Sequence, residues 1–297
     1  MATTAERVSV GSHRRRVETL VIHEDVLTID IEEVGTYSLM WTPTCDNTVA
    51  VGFCSEDGIL TDNEAGTMVD GEVPESLALA AGFAFTEGIV NTLADISNMS
   101  VCPERPDVVR MRLRDPKLVA VRRRNVVMNS SCGVCGGREQ LQDSAVRWAE
   151  VPDSLRVTVA DLVAICESLQ QEQEVFGRTG GAHGAAIFDG RLKVVAMAED
   201  LGRHNALDKV IGQRFLTGLG FAGCGAFITS RISYEMVAKA ARAGLELIAA
   251  ISAPSSLAIE MADRAGTTLC GFVRRGGAEI YTHSHRVTTE ADFALKP

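Results

Sequence analysis

The first half of the chain alternates hydrophobic and polar side chains with the period of β-strands. Residues 17–30 alternate and are rich in β-branched side chains, which predicts two short strands or a hairpin. Residues 108–113 (VVRMRL) predict another strand, and Pro116 begins a turn. Residues 1–16 are polar and end in three arginines, so they predict a loose tail.

Two segments of this half resemble each other. Residues 49–60 (VAVGFCSEDGIL) and 79–90 (LAAGFAFTEGIV) align at an offset of 30 residues and share two glycines and a phenylalanine. Two copies are too few for a repeat protein. The similarity therefore predicts one packed helical turn used twice, with Cys54 inside the first copy.

The second half changes to helices that alternate with apolar strands. Thr158 is a candidate N-cap for a helix that runs through Phe176 to Gly177, and Asn205 is a candidate cap for another that ends at Gly218. Hydrophobic segments 185–189 and 192–196 predict a hairpin around Gly190. Beyond it, the predicted strands are 226–229, 245–251, 269–274 and 279–282, with helices over 233–242 and 256–265. This alternation predicts a layered α/β domain.

Between the halves lies a small-residue segment, 129–137 (NSSCGVCGG), that predicts a loop. We therefore expect a tail over 1–16, a smaller α+β domain over 17–125, a mobile loop over 126–140 and an α/β domain over 141–297.

Composition narrows the class of protein. With 297 residues, 46% hydrophobic and 23% charged, the chain is neither disordered nor of low complexity. The net charge of −10 argues against a general nucleic-acid or anionic-membrane binder. No apolar run reaches the roughly 18 residues of a membrane span. The start lacks the features of a signal peptide, and eight scattered cysteines suit a reducing cytoplasm, so we expect a cytoplasmic protein.

The CGVC segment holds Cys132 and Cys135, the first candidates for chemistry. Such a pair in a reducing compartment is half a zinc site, a dithiol redox pair, or a nucleophilic thiol with a helper. Zinc would have to recruit further ligands such as His283 and His285, because the chain has no second CxxC. A thiol on an exposed glycine loop is better suited to reach a partner's active site, accept a group and return. A loop that merely contains two cysteines remains an alternative.

Further candidates are a histidine and several arginines near predicted strand or helix ends. His183 lies in a glycine-rich segment (TGGAHG), where its simpler role is a hydrogen bond within a turn. The zinc deaminase signature is absent because position 185 is alanine. Arg203 and His204 lie at a predicted helix start, where a phosphate is favoured, although a charged helix cap is equally consistent. Hydroxyl and basic residues also follow predicted strands, at Ser230, Arg231, 253–256, Arg274 and Arg275.

Taken in this order, the segments resemble the formate dehydrogenase accessory sulfurtransferase family, FdhD. The resemblance covers about residues 17–285 and is carried by 80–90 (AAGFAFTEGIV), 132–137 (CGVCGG), 179–186 (TGGAHGAA), 199–212 (EDLGRHNALDKVIG), 230–244 and 251–276. Two local departures are the imperfect first copy around Cys54 and the Asn-Ser-Ser lead before Cys132.

This resemblance implies a cytidine-deaminase-like α/β/α core with a smaller N-terminal domain, and a homodimer. It implies that Cys132 accepts persulfide sulfur from a cysteine desulfurase, with Cys135 assisting. The sulfur would pass to the Mo-bis(molybdopterin guanine dinucleotide) cofactor before insertion into formate dehydrogenase, and no structural metal is implied. Residues 270–275 would contact the cofactor (Cys270, Gly271, Phe272, Val273, Arg274 and Arg275).

The other candidate cofactor contacts are His183, Arg203, Ser230 and Arg231, because a large polyanion requires arginines, helix N-termini and close-approach glycines. Two alternatives remain at this point: a chaperone that holds the cofactor without sulfur chemistry, and a zinc-dependent hydrolase or deaminase.

Overall fold

The computed structural model describes residues 1–8, 14–44, 51–54, 59–62, 73–102, 104–119, 126–128 and 151–289, with backbone alone for 51–54, 59–62 and 126–128. The residues form a mixed α/β fold. Its N-terminal strands are β1 (Ala2–Val8), β2 (Arg14–Leu20), β3 (Asp25–Ile31), β4 (Gly35–Trp41), β5 (Val51–Cys54), β6 (Ile59–Asp62), β7 (Ile96–Cys102), β8 (Arg105–Leu113) and β9 (Val126–Met128).

Strands β3 to β9 form one seven-stranded sheet. Its order is β6-β5-β7-β8-β3-β4-β9, with β3 parallel to β8 and β4 parallel to β9. β1 and β2 pair with each other in a separate antiparallel ribbon.

A six-stranded sheet occupies the second half of the chain. After the two-residue β10 (Val157–Thr158), its strands are β11 (His183–Phe188), β12 (Val194–Asp200), β13 (Gly225–Ile228), β14 (Leu247–Ala250), β15 (Thr268–Arg274) and β16 (Gly277–Thr282), and β17 (Val287–Thr288) then pairs with β10. The order is β12-β11-β13-β14-β15-β16, in which β13, β14 and β15 are parallel. The helices are α1 (Glu75–Thr86), α2 (Val159–Glu172), α3 (Glu174–Thr179), α4 (Arg203–Leu216), α5 (Tyr234–Ala243) and α6 (Ser256–Ala265).

Strand alternation divides the interior between the two faces of this sheet. Ala185 and Ile187 of β11 belong to a core shared with α1, α4, α5, α6 and the seven-stranded sheet. Ala186 and Phe188 point the other way, into a smaller core beneath α2. The larger core therefore contains side chains from both halves of the chain.

Helices α1 and α4 touch through their backbones. A Cβ added at Gly82 would come 1.9 Å from the carbonyl oxygen of Asp208, and one added at Gly212 would come 1.8 Å from that of Ala78. Only glycine permits so close an approach at these two positions. This crossing joins a helix of the first half to one of the second.

Several local predictions are confirmed. Thr158 caps α2 by accepting a hydrogen bond from the Asp161 amide, and α6 spans the predicted residues. The predicted hairpin is β11 and β12, and the strand–helix–strand pattern from β13 to β15 is present.

Two predictions for the first half are wrong. Residues 2–8 and 14–16 belong to the β1–β2 ribbon rather than to a loose tail. The two short strands predicted over 17–30 are present as β2 and β3, which lie in different sheets and so do not form the alternative hairpin. The two similar segments also differ, because the first forms strands β5 and β6 while the second lies in α1 and the turn after it. The first pairs with β7 and the second packs on α4, so different surroundings select different structures.

Two helix boundaries also differ, and both involve carboxylates distant in the sequence. The predicted helix through Phe176 ends at Glu172, because Glu199 accepts hydrogen bonds from the amides of Val175 and Phe176 (2.7 and 2.9 Å) and so begins α3. Asn205 lies inside α4, which begins at Arg203, and its side chain donates to Asp200 rather than capping the helix.

Candidate functional site

The parallel strands of the six-stranded sheet end at one edge, where most of the candidate residues lie. Ser230 and Arg231 follow β13, while β11 is antiparallel to β13 and therefore begins at the same edge with His183. In the ladder His183 faces Asp200, the last residue of β12, and Arg203 opens α4 three residues later. Ligands bind at such carboxyl edges in open α/β sheets.

His183, Arg203 and Arg231 form an electrostatically coupled group. Burial lowers the pKa of His183, and the positive charges of Arg203 and Arg231 lower it further, against the opposing effect of Asp200. The imidazole is therefore neutral at pH 7. Ser230 is buried and donates its hydroxyl to the Arg231 carbonyl at 3.1 Å, so its side chain is engaged locally.

Glu235 is a site residue that the sequence analysis missed. Burial on its own would raise the pKa of this carboxyl, but the nearby Ser233 hydroxyl, the backbone amide of Glu235 and the positive charges of His204 and Arg203 lower the pKa overall. The only signal in the sequence was its position in the first turn of α5. Acidic residues are common there because they stabilise helices, so this position did not distinguish Glu235 as a site residue.

Most charged side chains of the 199–209 segment are buried and pair with other groups of the protein. The Lys209 ammonium is fully buried and lies 2.7 Å from Glu75 and from Asp200, and it donates to the carbonyl oxygens of Thr42 and Glu199. Asp200 also accepts from the Thr42 amide, the Gly202 amide and the Asn205 side chain. These groups fasten the end of β12 and the start of α4 to the first half of the chain.

A second buried network joins α1, α4 and α5. Lys239 donates to Thr86, Glu87 and Asp208 at 2.8–3.0 Å. Burial alone would lower the pKa of Lys239, but the carboxylates of Asp208 and Glu87 outweigh it and raise the pKa. The Thr-Glu pair of the 80–90 motif thus stabilises the helix packing.

Residues 270–275 lie at the same edge, where β15 turns into β16. Cys270 and Val273 are fully buried and Gly271 is buried, so exposed side chains come from Phe272, Arg274 and Arg275. Phe272 has a φ of 50°, a left-handed conformation that costs a bulky residue on the order of 1–3 kcal/mol. Such strain is typical of functional sites.

A cavity of about 500 Å³ lies between this turn and α2. Arg275 lies 2.7 Å from Glu167 in α2, and Arg274 also lines the cavity. The remaining lining residues are Val163, Cys166, Gln170, Gln171, Ile251 and Val273.

The candidate cofactor contacts are therefore divided between the two faces of the sheet. His183 has the parity of Ala185 and Ile187, which face α4 and α5, whereas the cavity beside Arg274 lies under α2 with Val273. The structure brings His183, Arg203 and Arg231 together but places Arg274 and Arg275 in a second group.

Cys132 and Cys135 lie outside the described residues. Among the cysteines that are described, burial raises the pKa of Cys166 and Cys224, and it raises that of Cys270 to about 12. A thiol must ionise to act as a nucleophile. These three cysteines are therefore poor candidates for sulfur chemistry.

The two histidines suggested for a zinc site have other partners. His283 contacts the Asp263 carbonyl at 3.0 Å, and His285 contacts the Asp153 carboxylate at 3.1 Å. Within the described ranges, no group of three or more His, Cys, Asp or Glu side chains is arranged to hold a metal ion.

A family model and curated relatives identify the protein's class. A model described as the FdhD/NarQ family matches residues 67–288. The chain belongs to the FdhD/NarQ family. The sulfur carrier protein FdhD of Sulfurisphaera tokodaii is 40% identical over 210 residues, which cover 70% of this chain and 79% of the relative. The protein of the same name from Bordetella bronchiseptica is also 40% identical, over 70% of this chain and 76% of its own.

A solved structure has the same fold as this family member. The crystal structure of a candidate formate dehydrogenase accessory protein from Desulfotalea psychrophila superposes with a TM-score of 0.70 and 19% identity, and covers 97% of this chain and 99% of that one. In the part of the FdhD/NarQ chain that the structure describes, no helix is both long and apolar enough to cross a bilayer.

Proposed function

We propose that this protein is a sulfur carrier that serves formate dehydrogenase. Membership of the FdhD/NarQ family, with curated relatives named sulfur carrier proteins over most of the chain, is the observation that carries the proposal. Cys132 accepts a persulfide sulfur from a cysteine desulfurase and passes it to the Mo-bis(molybdopterin guanine dinucleotide) cofactor before that cofactor enters formate dehydrogenase.

The first transfer is a thiolate exchange. The Cys132 thiolate attacks the outer sulfur of the donor persulfide, the donor S–S bond breaks, and the donor cysteine leaves as a thiolate. A new persulfide remains on Cys132, and no external oxidant or reductant is required. Burial of Cys166, Cys224 and Cys270 supports a role for other cysteines in this exchange.

Delivery of the sulfur as hydrosulfide needs two electrons. Attack by the Cys135 thiolate on the Cys132 sulfur supplies them, releases hydrosulfide and leaves a disulfide between the two cysteines. A cellular dithiol then reduces that disulfide. This sequence gives the second cysteine a chemical role that an isolated Cys132 could not fill.

The cofactor is a substrate with four phosphate groups in its two dinucleotide arms, and the sheet edge offers cations for it. Arg274, with Phe272 beside it, would contact one part of the molecule. His183, Arg203, Ser230 and Arg231 would contact another. Arginine and helix N-termini are the groups that bind phosphates in proteins, which supports this assignment. A cytidine-deaminase-like core and a homodimer complete the proposal.

Intact mass spectrometry tests the sulfur step. We expect incubation with a cysteine desulfurase and cysteine to add about 32 Da, the mass of one sulfur atom, to Cys132. Cys132→Ala removes the adduct, whereas Cys166→Ala, at a buried thiol, is the matched control and retains it. An adduct that is absent from the wild type, or that survives Cys132→Ala unchanged, contradicts the proposal.

A cofactor-holding chaperone without sulfur chemistry is the second candidate, because the arginines of the sheet edge would serve it equally. It predicts that Cys132→Ala fully restores formate dehydrogenase activity in cells that lack the protein. The sulfur-carrier proposal predicts no restoration.

A further inference from the structure

We propose that His183, Arg203 and Arg231 form a phosphate subsite that is independent of the cavity beside Arg274 and Arg275. The inference deepens the proposed function, on which it rests only for the natural ligand, the phosphates of the dinucleotide. Binding of a phosphate group as such is a property of this chain and can be measured without sulfur transfer.

Three separate elements build the subsite. His183 begins β11, Arg203 begins α4, and Arg231 lies in the segment between β13 and α5. His183 pairs with Asp200 in the ladder, three residues before Arg203, and the positive charges of Arg203 and Arg231 act on its imidazole. The Gly184 amide donates to Thr229 at 2.9 Å, which holds the start of β11 against the end of β13.

The two arginines of the subsite have no carboxylate partner within ion-pair distance among the described residues. In the described part of the chain, Arg203 and Arg231 form no salt bridge, whereas Lys209, Lys239, Arg275 and Arg286 all do. The Nε of Arg203 is buried and has no hydrogen-bond acceptor in that part. A buried N–H without an acceptor is costly, so the geometry calls for an anion from outside.

The local carboxylates do not cancel this charge. Both oxygens of Asp200 are occupied by Lys209, two backbone amides and Asn205. Glu235 contributes one negative charge against two guanidinium groups. The N-terminus of the 14-residue α4 adds its positive dipole end on the same side.

These donors favour phosphate over a carboxylate. Two guanidinium forks approach from different elements, and the first N–H groups of α4 add a third direction, which matches the several oxygens of a tetrahedral anion. The phosphate could come from inorganic phosphate or from a nucleotide diphosphate. His183 has the parity of the face that packs on α4 and α5, whereas Arg274 and Arg275 line the cavity on the opposite face, beneath α2.

Calorimetric titration of the full chain with inorganic pyrophosphate tests the subsite. We expect Arg203→Ala and Arg231→Ala each to weaken binding about tenfold or more, because each removes charge-assisted hydrogen bonds. Arg274→Ala is expected to leave pyrophosphate affinity within about twofold. Arg191→Ala, an exposed arginine in the hairpin at the far end of β11, is the matched control and has no effect.

A variant that binds pyrophosphate more tightly is a useful second test, because unfolding of a variant could only weaken binding. Glu235→Gln removes a carboxylate whose charge interacts with that of Arg203, so pyrophosphate should bind several-fold more tightly. The bound anion should also raise the pKa of His183 in a proton NMR titration, and His183→Gln identifies the resonance. Unchanged affinity in Arg203→Ala and Arg231→Ala, or no measurable binding to the wild type, overturns the proposal.

Titration with GDP distinguishes the two sources of phosphate. If Arg203→Ala weakens GDP and pyrophosphate alike, the subsite takes the phosphates of a nucleotide. If it weakens pyrophosphate alone, the subsite takes a free phosphate and the link to the dinucleotide fails, although the subsite itself stands. The sulfur adduct on Cys132 is unaffected by either result, so failure here is separable from failure of the proposed function.

Discussion

Lys209 and Arg203 lie six residues apart on one helix, yet they occupy opposite electrostatic environments. Lys209 is fully buried between two carboxylates and two carbonyl oxygens, and no donor remains for a ligand. Arg203 is half-buried at the sheet edge with an Nε that lacks an acceptor among the described residues. A single charged motif thus divides into a part that holds the protein together and a part that is available for an anion.

The largest expected effect is in the buried network. Lys209→Met keeps the size of the side chain but leaves Glu75 and Asp200 as buried negative charges without their cation. We expect the free energy of unfolding to fall by about 3–5 kcal/mol, measured by urea denaturation. Arg231→Ala at the exposed edge should change it by less than about 0.5 kcal/mol. Equal losses in the two variants would remove the distinction between the regions.

The helix crossing gives the next largest effect. Gly212→Ala places a methyl group against the Ala78 carbonyl, so α1 and α4 must separate, and we expect a loss of about 3 kcal/mol in the same denaturation experiment. Gly177→Ala in α3, where a Cβ meets nothing within 4 Å, is the control. It should be neutral or stabilise by about 0.5–1 kcal/mol because alanine favours a helix. A Gly212→Ala variant as stable as the control would contradict the close backbone contact.

The smallest expected effect is the contribution of His183, at the edge of the six-stranded sheet, to the pH dependence of stability. The pKa of His183 is lowered in the folded protein from its ordinary value of 6.5, so the unfolded chain takes up this proton first as pH falls. The stability contributed by neutral His183 is therefore present above pH 6.5 and is lost below it. Urea midpoints between pH 7.5 and 5 should fall less steeply for His183→Gln than for the wild type. Parallel pH profiles would show that burial and the two arginines do not lower the pKa of His183 in the folded protein.

The grouping of candidate residues at one edge of the six-stranded sheet was predictable in part, because general rules fix where parallel strands end. Strands β13 to β15 are short apolar segments linked by helices, which indicates parallel pairing, and residues after parallel strands meet at one edge. This places Ser230, Arg231 and residues 270–275 near one another. Helix α6 was predicted with its observed bounds from hydrophobic spacing alone, and the structure adds its two caps, Ser255 and Gly266.

Contacts between distant residues account for what the sequence analysis missed. Glu75 is 134 residues from Lys209, and Glu199 begins α3 from 24 residues away. No periodicity or spacing reports such pairs, so the 199–209 segment was interpreted as a ligand site when most of its charges are internal. The sequence also could not assign the arginines to the two faces of the sheet, because the face to which a side chain points is known only once the register of the strands is known.

By itself the sequence determined the α/β class, most elements of the second half and the family, because these depend on local hydrophobic spacing, helix caps and contiguous motifs. Only the tertiary structure decided that Lys209 stabilises while Arg203 remains available, and that the two similar glycine-phenylalanine segments form strands in one place and a helix in the other. Burial and partners set the energy of a charge, and neighbouring elements select between helix and strand. Both are properties of the folded chain as a whole.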